Sequence, residues 1–131
     1  MNAILEALRS TGVFYVATVD DAGCPRVRPF GAAAEYEGKV YLCTNNPKPC
    51  FKQMLAHPEV EICGMENETT WIRLSAKLRR DDRPKAREAM LEQNEGLRRM
   101  YAANDGLFEV LYLEDPVCTR YSFTAPPETV E

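Results

Sequence analysis

The chain has 131 residues, a net charge of −4, 45% apolar residues and 27% charged residues. That is enough chain for one core and too little for two, and the balance excludes disordered and collagen-like classes. With 16 basic against 20 acidic side chains, a general nucleic-acid surface is not expected, because such surfaces displace counterions with clustered Lys and Arg. We expect a single domain over residues 1–131. The first thirty residues carry no apolar signal core, and no apolar run approaches the roughly 18 residues of a bilayer span, so a cytoplasmic protein is expected. Cys24, Cys43, Cys50, Cys63 and Cys118 form no C-x-x-C pair and read as free thiols.

Residues 3–9 place Ile4, Leu5 and Leu8 on one face at helical spacing, predicting a short amphipathic helix that ends at Gly12. Residues 13–19 are β-branched and aromatic, 20–23 are turn formers, and 26–36 read as a second extended run. Glu37-Gly38 makes another tight turn before a strand over 39–44, so three antiparallel strands are expected in a meander. Asn45-Asn46-Pro47-Lys48-Pro49 breaks the pattern, and Pro49 suits the first turn of a helix over 50–55. His57-Pro58 ends that helix, with His57 read as its cap. Residues 60–64 resume extended structure. In 70–79, Ile72, Leu74, Ala76 and Leu78 alternate with polar or aromatic neighbours, a period of two with one core face. Residues 84–103 are helical, divided at Gly96. Two short strands, 107–113 and 117–124, flank Glu114-Asp115-Pro116, and the tail 125–131 is expected to fray. About seven closely spaced strands with helical insertions favour a mainly β, antiparallel barrel.

Two constellations carry chemistry. At the junction of the 39–44 strand and the following helix, Thr44, Asn45, Lys48 and Lys52 combine hydroxyl, amide and ammonium donors with a helix N-terminus, a combination suited to a phosphate dianion. A solvated loop with two surface lysines is the plainer alternative. On the second extended run, Arg26-Val27-Arg28-Pro29-Phe30 sends Arg26, Arg28 and Phe30 to one face and Val27 to the other. Two guanidinium groups there need partners unless they reach solvent, and Pro29 withholds one ladder donor, as at an edge strand beside a ligand. The basic positions Lys77, Arg79, Arg80, Arg83, Lys85 and Arg87 alternate with acids and read as a solvated face.

The order of these elements, from Arg26-Val27-Arg28-Pro29-Phe30 through Val40-Tyr41-Leu42-Cys43-Thr44-Asn45 and the lysine-bearing helix to His57-Pro58-Glu59-Val60, resembles the pyridoxamine 5′-phosphate oxidase-like family, and within it the small branch that includes nitroimidazole-resistance proteins. The resemblance implies an FMN-binding split β-barrel and a homodimer with FMN at the interface. It places Arg26, Val27, Arg28, Pro29 and Phe30 along the isoalloxazine and ribityl region, Thr44 and Asn45 beside the phosphate with Lys48 and Lys52 as cations, and Trp71 on the ring from the other subunit. The implied activity is that of an FMN-dependent oxidoreductase, flavin reductase- or nitroreductase-like, acting on a small organic substrate with NADH or NADPH as donor. A non-catalytic flavin- or haem-binding module and a deazaflavin-dependent reductase are the alternatives. No catalytic side chain stands out, although Tyr15, Tyr36, Glu66 and Glu68 are candidates to lie near the ring. The C-terminal stretch from Arg120-Tyr121-Ser122-Phe123-Thr124 onward carries no histidine, so the arginine-histidine motif that handles substrate in true pyridoxamine phosphate oxidases is missing from it.

Overall fold

The computed structural model describes residues 2–131. Helix α1 (Ala3–Thr11) starts where Asn2 Oδ1 accepts from the amides of Ile4 and Leu5, at 2.9 and 3.2 Å, satisfying two of the donors a helix start leaves open. Strands β1 (Phe14–Val19) and β2 (Pro25–Phe30) form a hairpin whose turn is tied by Asp20 Oδ1, which accepts from Ala22 and Cys24. These backbone bonds, and the Arg26 guanidinium at 3.0 Å, hold the Asp20 carboxyl below the usual carboxylate range.

The expected three-strand meander is not formed. The run 26–36 is divided into β2 and β3 (Ala33–Tyr36), with Gly31 and Ala32 between them. Strand β3 pairs with β4 (Lys39–Asn45) and β2 pairs with β1, and the sheet runs β2-β1-β5-β6-β7-β4-β3 with β5 Glu59–Met65, β6 Thr70–Asp81 and β7 Phe108–Ser122. The two halves of that run therefore occupy opposite ends of one antiparallel sheet. Alternation marks a residue's face but not which strand accepts its hydrogen bonds, so a single extended stretch concealed a change of partner. The sheet is not closed by hydrogen bonds between β2 and β3.

The C-terminal third differs from expectation in two further places. A single 15-residue strand, β7, passes through Asp115-Pro116 where two strands were expected. Opposite those two residues the register of β6 shifts between Ser75 and Lys77, and this bulge tolerates a proline that has no N–H to donate. The tail returns as β8 (Glu128–Val130), paired with Cys118–Arg120 of β7, and buries Val130 instead of fraying. The helical stretch breaks at Asn94, with α3 (Pro84–Gln93) ahead of it and a 3-10 turn (Glu95–Arg99) behind.

Inside the curled sheet lie Leu5, Leu8, Val16, Ile62, Ile72 and Leu74, joined by Phe51 and Met54 of α2 (Pro49–Ala56). A Cβ on Gly64 would sit 2.8 Å from Thr11 Cγ2 and 3.2 Å from Phe14 Cβ, so the absence of a side chain lets the end of α1 rest against β5. A second cluster fills the space between α3 and the outer side of β3, β4 and β7, around Ala34, Tyr41, Met90, Leu91 and Val110.

Candidate functional site

Strand β3 begins at Ala33 opposite Leu42, so Cys43, Thr44 and Asn45 extend β4 past the end of its neighbour. On this side β4 has an edge without a ladder partner, bounded by the β2–β3 link and by the segment following α3. Here lies a cavity of about 880 Å³, within the size range of small-molecule sites. Phe30, Leu97, Met100 and Tyr101 give it an apolar wall, while Arg28, Thr44 and Lys48 supply polar groups.

Each polar group is positioned by the local chain. Lys48 is the N-cap of α2 and provides no side-chain cap, leaving its ammonium beside the positive end of the helix. Pro49, the first helical residue, has no amide to satisfy. Thr44 is buried, its hydroxyl 3.4 Å from Cys50 Sγ. Arg28 lies on the inner side of β2, where Nη1 donates to Thr18 Oγ1 at 2.6 Å and Nη2 donates to Gln53 Oε1 at 3.1 Å. The Thr18 hydroxyl in turn donates to Gln53 Oε1 at 2.6 Å. A guanidinium gripped from two elements keeps one orientation at the cavity wall. Behind the loop, Asn46 Nδ2 donates to Gly106 O and Glu109 Oε2, and Glu109 accepts two bonds from Arg80, at 2.7 and 3.2 Å.

Of the predicted residues, Arg28, Pro29, Phe30, Thr44 and Lys48 line this cavity together. Asn45, expected beside the phosphate, is not among the lining residues and instead donates from Nδ2 to the hydroxyl of Tyr101, which is. Arg26 pairs with Asp20 at the hairpin turn, Val27 points away from the cavity at 67% exposure, and Lys52 is exposed one turn along α2. Trp71 sits on the outer side of β6, stacked on Tyr121 at 5.9 Å and against Phe123 at 5.1 Å. Tyr15, Tyr36, Glu66 and Glu68 are absent from the lining. Glu66 is held by Arg120 in a bidentate pair at 2.6 and 3.0 Å, which keeps its carboxyl below the usual range. His57 caps α2 through its backbone N–H to Gln53 O at 2.8 Å, and its ring meets Asp21 at 3.1 Å.

Sequence reasoning missed Leu97, Met100 and Tyr101, some fifty residues beyond the phosphate-type loop, and Gln53, the partner of Arg28. Their only local signal was apolar residues spaced among charges, which reads as a helix face. Cys43 lines the cavity as a neutral thiol, since burial pushes it up to about 12 against a small opposing pull from Lys48. The basic positions of residues 77–87 are largely paired: Arg79 with Glu114, Arg80 with Glu109, Arg83 with Asp81 and Glu37, and Arg87 with Asp82.

The profile described as pyridoxamine 5′-phosphate oxidase matches residues 1–113. A NimC/NimA family protein from Clostridium acetobutylicum is 48% identical, with a TM-score of 0.92 over 97% of this chain and 88% of its own. A pyridoxamine 5′-phosphate oxidase-related, FMN binding protein from Nostoc punctiforme is 18% identical, with a TM-score of 0.72 over 98% of this chain and 95% of its own. A heme binding protein from Mycobacterium smegmatis is also 18% identical, with a TM-score of 0.74 over 99% of this chain and 58% of its own. The last two likenesses establish a shared fold and nothing finer. No curated protein sequence matches the chain.

Proposed function

The chain belongs to the pyridoxamine 5′-phosphate oxidase family, and from that premise we propose that it is an FMN-dependent oxidoreductase, flavin reductase- or nitroreductase-like, that works on a small organic substrate as a homodimer. The observation that carries this reading is the cavity beside the uncovered end of β4, where an apolar wall meets the cationic start of a helix. A phosphorylated, flat-ringed molecule needs those two environments side by side.

FMN fits these residues as follows. Lys48, the Thr44 hydroxyl and the first turn of α2 would hold the phosphate. Phe30 and Pro29 would bear on the ring, and the unpaired backbone edge of Cys43 to Asn45 offers hydrogen bonds to the body of the ligand. When bound, the flavin supplies the two-electron chemistry, with NADH or NADPH as the proposed donor. The protein's part is to anchor, orient and shield. Arg28, held by Thr18 and Gln53, keeps positive charge at the wall, where it would favour a bound group that carries negative charge. Leu97, half-buried, and the exposed Met100 would screen one side of a bound ring from water. Trp71 lies on the outer sheet face, so any contact between it and a cavity is made across a subunit boundary.

The test is the spectrum and mass of what is released when the purified protein is denatured, followed by rebinding. FMN released from the protein supports the reading. A Soret band would favour haem storage, and a deazaflavin would move the chain to a different cofactor class. In rebinding, Lys48→Glu is expected to weaken FMN by two orders of magnitude or more while leaving riboflavin within a few-fold, because a like charge beside a phosphate costs several kcal/mol. Lys52→Glu, exposed and one turn further on, should act in the same direction more weakly. Equal losses for both ligands would place the phosphate elsewhere.

A further inference from the structure

Resting on the reading above, the geometry points to Tyr101 as the neutral hydrogen-bond donor that completes the phosphate site, with Asn45 as its positioning residue and not itself a phosphate ligand. The argument is an account of donors. The Thr44 hydroxyl lies 3.4 Å from Cys50 Sγ in a contact that either group can donate, so it supplies the site with one hydrogen at most, and the side-chain amide of Asn94 donates to Ala33 O and Met90 O. Arg28 commits three of its bonds to Thr18, Arg26 O and Gln53. Asn45, which chain position alone would make a ligand, gives one of its two Nδ2 hydrogens to Tyr101 Oη at 2.6 Å. In that bond the phenol oxygen is the acceptor, so its own O–H remains to be donated. Tyr101 lines the cavity, whereas Asn45 does not.

The hydroxyl is also at the correct end of the cavity. Asn45 accepts the Lys48 amide on its backbone carbonyl at 3.3 Å, so one short turn ties the phenol to the lysine and to the start of α2. The ring is steadied by Phe108, with centroids 4.8 Å apart, and by its amide, which donates to Leu97 O at 2.9 Å. A phenol fixed in this way donates to an oxyanion without first losing rotational freedom, and a hydrogen bond to a charged acceptor is about twice as strong as a neutral one.

The experiment uses the full chain stripped of ligand and titrated with FMN and with riboflavin, followed by flavin fluorescence. Tyr101→Phe keeps the ring and its stacking. It is expected to raise the Kd for FMN about tenfold or more and to leave riboflavin within about twofold. Asn45→Ala should lower FMN affinity in the native background and cost nothing further in the Tyr101→Phe background. Unchanged FMN affinity in Tyr101→Phe, equal losses for FMN and riboflavin, or additive losses in the double variant would each overturn the assignment. If the unaltered protein binds no FMN, the failure belongs to the proposed function and not to Tyr101.

Discussion

The outer side of the sheet has two halves that are finished differently. Over β3, β4 and β7, α3 covers Tyr41, Val110 and Ala34, and its own Met90 and Leu91 are fully buried. Over β1, β2, β5 and β6, no helix covers Tyr15, Val27, Met65 and Trp71, which the registers Ala17↔Val27, Tyr15↔Cys63 and Met65↔Trp71 set on one face; Val27 is 67% exposed and Met65 48%. Phe123, at 72%, extends the same patch. Apolar residues scattered singly on a surface need no explanation, but a set that shares one sheet face does. The contrast teaches that this fold closes one half with its own helix and leaves the other bare, and the bare half is where the proposed homodimer would seat a second copy.

The covered half should be the more sensitive to truncation. Leu91→Ala removes a fully buried side chain and is expected to cost about 2–5 kcal/mol in chemical denaturation. A loss under 1 kcal/mol would mean that α3 is not a fixed cover.

Asp81→Asn probes the polar lock at the edge of the same half. Arg83 donates to Asp81 at 2.8 and 3.0 Å, and the Tyr41 hydroxyl donates to it at 2.7 Å. The guanidinium, with the tyrosine and a backbone amide, brings the carboxyl down from 3.8 to about 2 despite its burial. In return, burial and the carboxylate push the Tyr41 phenol well above its ordinary value. A pKa depressed by folding contributes stability that is complete above the ordinary value and disappears as pH falls through the folded one. The variant should therefore be weaker by about 1–3 kcal/mol at pH 7, and the gap should close between about pH 4 and pH 2. A gap that persists at pH 2 would rule out the carboxylate's charge as its source.

The bare half should show the smallest effect on the stability of a single chain and the clearest effect on association. Val27→Glu alters a side chain that is two-thirds exposed, so the monomer should lose no more than about 0.5 kcal/mol. Sedimentation should instead move from dimer to monomer. Alkylation sharpens the same contrast: Cys63 faces Tyr15 on this surface and Cys24 lies at the hairpin turn, both exposed in one chain. On dimerisation Cys63 should become slow to react while Cys24 stays fast. A wild-type chain that sediments as a monomer with both thiols reactive would leave the bare half without its proposed partner.

Features decided by nearby residues were legible before the structure was known. The helix at Ala3–Thr11, the turn at Asp20, the proline start of α2 and the alternation of Ile72, Leu74, Ala76 and Leu78 each follow from a few adjacent side chains. Arg28, Phe30, Thr44 and Lys48, each in a short run of matched chemistry, were singled out by sequence and line one cavity in the structure. The separation of β2 from β3 was not legible, because the partner of a strand is chosen by distant chain. Tyr101 was hidden by the same limit. Its meaning comes from Asn45, and only the pairing of Asn45 with Phe108 in the β4–β7 ladder brings the two together.

The strand order has a consequence for how the chain is built. β4 has only the short β3 beside it until β7, its other neighbour, arrives from much later in the chain. On the ribosome, β4 must wait for residues up to Tyr112 before its second ladder can form, and contacts so distant in sequence make for slow assembly. A chain truncated ahead of Phe108 would thus carry every residue that lines the cavity and still lack the strand against which β4 is laid.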